Sequence, residues 1–491
     1  MSEASRTRGA LPALLDRIDG SRASPAVALG EWVRDANDGE PLDPQVATDA
    51  GAIDRAIVAA DRAHRDGAWR RAAPAARAEV LERIASELEA RREEMALADA
   101  RTTGVVVSLT RALASITSLA FRGAAAELRA GAMGMRLEGP TGPVDVLRVP
   151  WGPAAVIAPW NAPAAIASHK VASALAAGCP VILKPSEWAP HSCALVADAV
   201  EAAGLLRGVF QLVHGAGVVG AQLAADGRIA AVSFTGGLAG GRAVAAACAK
   251  DLKPVQLELG GNNALIVLDD ADLDLAAAGI VMGLTTLNGQ WCRAVGRILV
   301  HAPHEAPLRA RVMERLAAVK LGSSLSAEST MGPLVHRGHL AQVRAAIDAA
   351  CARGAVAHAS TPLPAPRQPG GNFLAPTLLT GVSPSDATRE IFGPVATVHP
   401  FATVDEGIAL GNDGPFGLAA YVFGRDEVRA LAVARELRAG SIKVNGVSLL
   451  ALHPRAPRPA WGLSGFGDEG TLATLHFFCG TRVVGVAGAR S

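Results

Sequence analysis

Short apolar segments alternate with helical stretches through the middle of this chain, and this alternation constrains the fold more than any other feature. The apolar segments begin at Ala154, Pro180, Val209, Ala230 and Pro254. Strands that alternate with helices predict a parallel, doubly wound sheet, and therefore an α/β fold. In such a sheet, ligands bind where the strands end.

Polar residues and a glycine stand at the ends of several of these segments. Asn161 follows the first segment, Lys184 and Glu187 follow the second, and Gly236 follows the fourth. The carboxyl ends of parallel strands share one edge of a sheet. We therefore expect these four residues to surround a common ligand site.

The length of the chain predicts more than one domain. Its 491 residues are too many for a single core and indicate two or three domains. Helical periodicity covers residues 49–100 and about 108–130. Beyond residue 258 the strand pattern returns, with apolar segments that begin at Ala264, Val395, Leu418 and Ser441.

Charge and cysteine content exclude several classes of protein. Lys and Arg total 47 and Asp and Glu total 46, without a polybasic run, so a nucleic-acid partner is not indicated. The six cysteines show no metal-ligand spacing, which predicts neither a metal site nor a disulfide framework and favours a reducing compartment. The charged first twenty residues and the absence of a long apolar run predict a cytoplasmic protein without a membrane partner.

Two residues have surroundings that suit covalent catalysis. Cys292 lies on a predicted loop beside Arg293, where a thiol can become the nucleophilic thiolate. The alternative is a small buried hydrophobic side chain, which is the usual role of a lone cysteine. Glu258 stands between two leucines at a strand end, where burial would raise the pKa of its carboxyl group and suit a general base. A solvated glutamate is the alternative there.

Four stretches together resemble the aldehyde dehydrogenase superfamily. In chain order they are Pro159-Trp-Asn-Ala-Pro, Leu257-Glu-Leu-Gly-Gly, Asn288-Gly-Gln-Trp-Cys and Glu390-Ile-Phe-Gly-Pro. Each stretch alone is modest evidence, but the combination in this order is highly specific. The resemblance extends from about Asp49 to the C-terminus.

The resemblance implies a role for each catalytic candidate. Cys292 would attack the aldehyde carbonyl, and the Asn161 side chain and the Cys292 backbone N–H would stabilise the resulting oxyanion. Glu258 would activate the water that releases the acid, and Glu469 would relay protons. For Asn161 the alternative is that it caps the following helix.

The resemblance also implies a nicotinamide cofactor. Glu187 would favour ribose hydroxyls over a phosphate, which predicts NAD in preference to NADP. The glycines would form a phosphate turn at a helix start, Glu390 would bind the nicotinamide ribose, and Phe392 would pack on the nicotinamide ring. The complete set is Trp160, Lys184, Glu187, Gly236, Gly237, Gly241, Glu390 and Phe392.

Two residues depart from the family pattern. The family usually has serine where Gly237 stands and lysine where Gly462 stands. Both positions lie near expected cofactor or C-terminal contacts. These two departures are therefore expected to affect the affinity for the cofactor and the conformation of the loop before Ser464.

The implied architecture has two doubly wound α/β domains and a small β element for oligomerisation. Residues 1–130 and 150–257 would form a discontinuous NAD-binding domain, and residues 258–463 a catalytic domain that holds the nucleophile. Residues 131–149 and 464–491 would form the oligomerisation element, whose C-terminal strand is expected to be an edge strand with an open side that invites pairing with another subunit. A homodimer or homotetramer is expected.

The expected reaction is NAD-dependent oxidation of an aldehyde to a carboxylic acid. By resemblance, Ala162, Ile166 and His169 line the aldehyde channel opposite Trp291, and the small Ala162 would admit a bulky or aromatic aldehyde. Alternatively, Trp291 narrows the channel. One rival function is a CoA-acylating enzyme, which generally lacks the base at Glu258. Another is a cofactor-free cysteine hydrolase, which would need a base such as His169.

Overall fold

A computed structural model describes residues 11–139, 142–364 and 370–486 of the chain. Residues 1–10 of the predicted NAD-binding domain and residues 487–491 of the predicted oligomerisation element lie outside these ranges. The α-helices of the described residues are Ala50–Asp66, Pro74–Ala90, Arg92–Thr103, Val107–Arg129, Pro163–Ala177, His191–Ala202, Gly217–Ala225, Leu238–Ala249, Leu273–Thr285, Glu305–Ala317, Arg337–Ala352, Val404–Asn412, Glu427–Glu436 and Thr471–Phe477.

The first sheet contains the five apolar segments predicted to begin at Ala154, Pro180, Val209, Ala230 and Pro254. Its order is Ser21–Ala23, Asp16–Ile18, Phe210–Leu212, Val181–Lys184, Ala154–Ile157, Ala231–Thr235, Val255–Glu258 and Gly465–Phe466. The five strands from Phe210–Leu212 to Val255–Glu258 are parallel. The strand order reverses between Ala154–Ile157 and Ala231–Thr235, which makes a crevice at their carboxyl ends.

A second sheet takes most of its strands from the later half of the chain. Its order is Val356–His358, Thr377–Thr380, Val395–Phe401, Val295–His301, Asn263–Val267, Ala419–Phe423 and Ser441–Val444. All neighbours are parallel except the first pair. The two parallel sheets confirm the predicted α/β class.

A three-stranded antiparallel sheet joins Gly134–Leu137, Val144–Pro150 and Cys479–Gly485. The C-terminal strand is an edge strand, as predicted, and seven of its residues pair on one side with Val144–Pro150. Its other edge is open among the described residues. Three short antiparallel pairs are Val27–Arg34 with Pro41–Ala47, Phe416–Gly417 with Trp461–Gly462, and Arg458–Pro459 with Asp468–Glu469.

The helix Pro163–Ala177 shows why the crevice is rigid. Pro163 occupies its first turn, where a missing N–H costs nothing. Gly178 ends it in the left-handed conformation at φ 98°. Its alanines are buried against the first sheet and the helices Pro74–Ala90 and Val107–Arg129. The residues that precede this helix, including Asn161, are therefore fixed by a packed core.

Other expectations concern domains and surroundings. The first sheet uses residues 16–258 together with Gly465–Phe466, and the second uses residues 263–444. The domain boundaries stay predictions.

No helix of the described residues is long and apolar enough to cross a membrane. All six cysteines are free thiols.

Candidate active site

The candidate active site lies where the chain passes from the first sheet to the second. Glu258 is the last residue of the strand Val255–Glu258, and Asn263 begins the next strand. Cys292 lies in the turn before the strand Val295–His301, which neighbours the strand of Asn263. The carboxyl ends of one sheet thus face the amino ends of the other around these residues.

The loop that carries Cys292 is fixed by two asparagine side chains. Asn288 adopts a left-handed φ of 58°, which asparagine tolerates better than most residues. Its amide donates to the carbonyls of Gly104 and Pro333 at 2.8 Å each and accepts from the Gly332 N–H at 2.9 Å. Asn263 donates to the Cys292 carbonyl at 2.8 Å. The backbone of the candidate nucleophile is therefore held in place.

Cys292 and Glu258 lie close enough for each to shift the pKa of the other. Glu258 is 5 % exposed, and burial, reinforced by the charge of Glu469, raises the pKa of its carboxyl group to about 7. Burial and the charge of Glu258 raise the pKa of the Cys292 thiol well above its usual range, while Arg293 lowers it. In this state the sulfur keeps its proton, and Glu258 is placed to accept it.

Asn161 is tied to the nucleophile loop through a backbone carbonyl. The side chain is buried, and its Nδ2 donates to the Gln290 carbonyl at 2.9 Å. The side-chain oxygen of Gln290 accepts from the Val335 N–H at 2.9 Å, which anchors that residue in turn. The Asn161 amide is therefore held against the loop of Cys292. Its contact, Gln290, is two residues before the nucleophile in the sequence.

Glu469 belongs to a buried charged group beside Glu258. Lys170 donates to Glu469 and also to Gln256 Oε1 at 2.8 Å, and Arg458 lies 3.7 Å from Glu469. Burial acts to raise the pKa of Glu469, but the charges of Lys170 and Arg458 outweigh it and lower the pKa to about 2. Glu469 is consequently a fixed anion at neutral pH.

The predicted adenosine-ribose residues follow the strand Val181–Lys184. Lys184 is buried, and burial lowers the pKa of its ammonium group. Its Nζ donates to the Pro185 carbonyl at 2.9 Å and lies 3.9 Å from Glu187. A buried ammonium with a single close acceptor retains donors for ligand hydroxyls.

The glycine turn begins the helix Leu238–Ala249. No side chain caps this helix at Gly237, and a Cβ added at Gly237 would meet only open space. The hydroxyl of Thr235, just before the turn, is buried and without a partner. Free helix N–H groups beside an orphaned hydroxyl and open space fit a phosphate-bearing cofactor.

The predicted nicotinamide residues lie on the other side of the crevice. Glu390 Oε1 accepts from the Gly261 N–H at 2.9 Å, and a Cβ at Gly260 would collide with this carboxyl group. Burial raises the pKa of Glu390 to about 7. Phe392 and Trp160 pack edge to face with their ring centroids 5.4 Å apart. The three residues therefore meet at one end of the crevice.

Three of the four predicted channel residues share one apolar cluster with the nucleophile. Ala162 and Trp291 are buried in this cluster, and Ile166 and Cys292 pack against it. His169 lies apart, with Nε2 3.2 Å from the Thr474 hydroxyl. Burial, followed by the charge of Arg458, lowers the pKa of His169 to about 3. His169 thus belongs with the charged group around Glu469.

Sequence reasoning missed several supporting residues. Lys170 is a lysine within an alanine-rich helix, and a buried lysine needs an acidic partner, so its position was a usable signal. Asn288 begins one motif and Asn263 follows another, but the distant partners of these side chains have no local signature. Gly462 is explained by the fold, since it has a φ of 60° and a Cβ there would collide with the Pro415 carbonyl.

The described residues include no candidate metal site. Among residues 11–139, 142–364 and 370–486, no group of three or more His, Cys, Asp or Glu side chains could hold a metal ion.

Known proteins share both the sequence and the fold. Residues 32–484 match the sequence model described as the aldehyde dehydrogenase family. Betaine aldehyde dehydrogenase 2 of Rhizobium meliloti is 37 % identical over 84 % of this chain and 85 % of its own. Betaine aldehyde dehydrogenase of Staphylococcus aureus, solved with NAD+, superposes with a TM-score of 0.91 at 29 % identity and covers 98 % of this chain and 96 % of its own.

A further solved structure contains an aldehyde. It is a mutant of aldehyde dehydrogenase C from Pseudomonas syringae in complex with NAD+ and octanal. Its TM-score to this chain is 0.90 at 33 % identity, over 96 % of both chains.

Proposed function

We propose that this chain, which belongs to the aldehyde dehydrogenase family, oxidises an aldehyde to the carboxylic acid with NAD. The observation that supports this most strongly is the position of Glu258 beside Cys292, where each shifts the pKa of the other, together with the contact of Asn161 with the Cys292 loop. Nucleophile, base and oxyanion donor then surround one point, as acyl chemistry requires.

Activation of the nucleophile begins with proton transfer. Glu258 accepts the thiol proton of Cys292, and the thiolate attacks the aldehyde carbon to form a thiohemiacetal. The oxygen becomes an oxyanion, which accepts hydrogen bonds from the Asn161 amide and the Cys292 backbone N–H. The contacts of Asn288 and Asn263 hold this backbone beforehand, so the donors need not reorganise during the reaction.

Release of the product uses the same carboxyl group. Bound NAD supplies the acceptor for the hydride that leaves the thiohemiacetal carbon. Glu258 first releases the thiol proton to solvent, and it can then accept a proton from the water that attacks the thioester on Cys292. The thiolate then leaves and the acid is free. Because the pKa of Glu258 is about 7, the carboxyl group can both take and return protons near neutral pH.

The cofactor rests on residues at both ends of the crevice. Lys184 and Glu187 would bind the adenosine ribose, the helix start at Gly237 the pyrophosphate, and Glu390 the nicotinamide ribose. The free N–H groups and the orphaned Thr235 hydroxyl support this assignment. A carboxylate at Glu187 favours NAD over NADP, because a 2′-phosphate would be repelled.

The rival functions have weaker support. A cofactor-free hydrolase that uses His169 as its base would have to work with an imidazole whose pKa is lowered to about 3 and whose Nε2 contacts Thr474. A CoA-acylating enzyme transfers the acyl group to CoA, so it would not need Glu258 to activate water.

The substrate proposed is a bulky, long-chain or aromatic aldehyde. The small Ala162 and the broad face of Trp291 lie in one apolar cluster with Ile166 and Cys292. Leu113 and Val447 also belong to this cluster, and Leu109 and Leu449 pack against it. The octanal complex of the Pseudomonas syringae relative supports a channel of this kind.

The assembly proposed is a homodimer or homotetramer. The strand Cys479–Gly485 has one open edge, and its sheet exposes large apolar side chains. Val483 is 66 % exposed, Met135 59 % and Leu137 51 %. Open edges and apolar patches of this kind favour pairing with a second copy. Light scattering on the purified protein measures the mass, and a monomer would contradict this proposal.

The function is tested with wild-type protein and a panel of aldehydes. NADH absorbance is followed for benzaldehyde, octanal, betaine aldehyde and acetaldehyde, with NAD or NADP and with or without CoA. NAD reduction without CoA is expected, and a requirement for CoA would overturn the hydrolytic reaction. Cys292→Ala should abolish turnover, whereas the matched variant Cys351→Ala, at an exposed cysteine, should retain it.

A further inference from the structure

A row of aromatic rings crosses the crevice from one predicted cofactor region to the other. Trp188, directly after Glu187, stacks on His336 with their centroids 3.9 Å apart and their planes at 20°. His336 lies 6.1 Å from His339, whose ring contacts Trp160 at 5.4 Å and Phe392 at 6.2 Å. We call these five residues the aromatic row.

The two histidines belong to the beginning of one helix. His336 caps the helix Arg337–Ala352, and its Nδ1 accepts from the His339 N–H at 3.1 Å. Because Trp188 follows a strand of the first sheet, the stack of Trp188 on His336 joins this helix start to the opposite wall of the crevice.

His339 holds the residue that is proposed to pack on the nicotinamide. Its Nε2 lies 2.6 Å from the Phe392 carbonyl. A carbonyl oxygen only accepts, so Nε2 carries the proton and donates. Burial lowers the pKa of His339, which agrees with a neutral ring in this tautomer. The bond fixes the backbone of Phe392 and the adjacent Trp160 packing limits its ring.

A cavity makes this bond more important than an ordinary loop contact. A space of about 580 Å³ lies between the segment of Glu390 to Phe392 and the helix Arg337–Ala352, with Val343, Ala346 and Ala350 among its lining residues. A segment that lies over a cavity loses the packing contacts that a filled core would supply. The position of Phe392 therefore depends strongly on His339.

We propose that His339 is a positioning residue for the cofactor, which acts by fixing Phe392, and that the Trp188–His336 stack keeps the helix of His339 across the crevice. Together they set how tightly the nicotinamide cofactor binds and how fast it leaves. This inference rests on the proposed function, because it takes Glu187 and Phe392 as the two ends of the cofactor site.

The experiment compares His339→Leu, which removes the donor, with His339→Gln, whose amide can still donate to the Phe392 carbonyl. His304→Leu is the matched control, since His304 Nε2 also bonds a backbone carbonyl, that of Asp269 at 2.7 Å. Trp188→Leu removes the stack without touching the Phe392 bond. NADH affinity and release are measured by fluorescence, the KM for NAD and kcat by absorbance, and the accessibility of Cys292 by its alkylation rate without cofactor.

His339→Leu is expected to weaken NADH binding and raise the KM for NAD about tenfold, the value of one hydrogen bond of ordinary strength. His339→Gln should recover most of this loss, and Trp188→Leu should speed NADH release about threefold, as expected for one aromatic contact. Alkylation of Cys292, and every property of His304→Leu, should match wild type.

Two results would overturn the positioning role: unchanged NADH binding in His339→Leu, or equal loss in His339→Gln and His339→Leu. If His339→Leu does not fold, wild-type release kinetics in Trp188→Leu would overturn it instead. Wild-type protein that binds NADH without oxidising any aldehyde would refute the proposed function while the variants still decide this inference. Wild-type protein that binds no NADH would refute both.

Discussion

Replacing Glu258 with glutamine is expected to stabilise the fold at neutral pH while it slows release of the acid. In the folded protein the pKa of Glu258 rises from 4.5 to about 7, chiefly because of burial. The folded state therefore binds a proton that the unfolded state releases above pH 4.5. Stability is lost as the pH rises from about 4.5 to about 7 and stays constant above that.

The magnitude follows from the size of the shift. About 2.5 pKa units correspond to about 3 kcal/mol of stability that Glu258 removes above pH 7. Glutamine carries no charge, so Glu258→Gln should exceed wild type by about 3 kcal/mol at pH 8 and by less than about 1 kcal/mol at pH 5. Loss of the charge also removes one cause of the raised pKa of Glu390, which acts in the same direction.

The assay is urea unfolding of both proteins at pH 5 and pH 8. Asp99→Asn is the matched control, because burial raises the pKa of Asp99 to about 7 and this residue lies outside the crevice on the helix Arg92–Thr103. It should show the same pH-dependent stabilisation with unchanged activity. If Glu258→Gln is less stable than wild type at pH 8, or if its advantage is the same at both pH values, the reasoning fails.

Three further predictions concern substrate, cofactor and loop. Ala162→Phe should lower kcat/KM for octanal and benzaldehyde at least tenfold relative to acetaldehyde, and an unchanged ratio would contradict the proposed channel. Glu187→Gln should reduce the preference for NAD over NADP at least tenfold in kcat/KM, because repulsion of the 2′-phosphate is removed; equal preference in wild type would refute the assignment. Asn288→Ala should lower the free energy of unfolding by about 3 kcal/mol, since three buried hydrogen bonds are lost, and lower kcat as well; unchanged urea unfolding would contradict the role of Asn288.

Much of the framework was predictable because its signals are local. The apolar segment at Val395 becomes the strand Val395–Phe401, which begins where it was predicted, and the segment at Ala154 becomes a fully buried central strand. A motif residue at a strand end must lie at the edge of the sheet. For this reason the sequence could predict that Asn161 and Gly236 lie on the same side of the fold.

The remaining features depend on partners that are distant in the chain. Lys170 and Glu469 are 299 residues apart, and only the folded chain shows that their pairing keeps Glu469 ionised. The left-handed Asn288 is supported by carbonyls of Gly104 and Pro333, which no local pattern connects. The C-terminal strand was expected at the edge of a sheet, but its register against Val144–Pro150 could not be predicted, because the apolar pattern of a strand does not identify its neighbour.

The most direct test of the whole account is a rapid-quench measurement on Glu258→Gln with excess octanal and NAD. The charge of Glu258 raises the pKa of the Cys292 thiol, so in this variant the thiol can release its proton to solvent and still attack the aldehyde. The proposed roles therefore predict about one equivalent of NADH per active site in a burst, followed by slow turnover, and an octanoyl group on the peptide that contains Cys292. NADH formation without a burst, or an acyl group on any other residue, would contradict the claim that Cys292 carries the acyl intermediate and Glu258 activates the water that releases it.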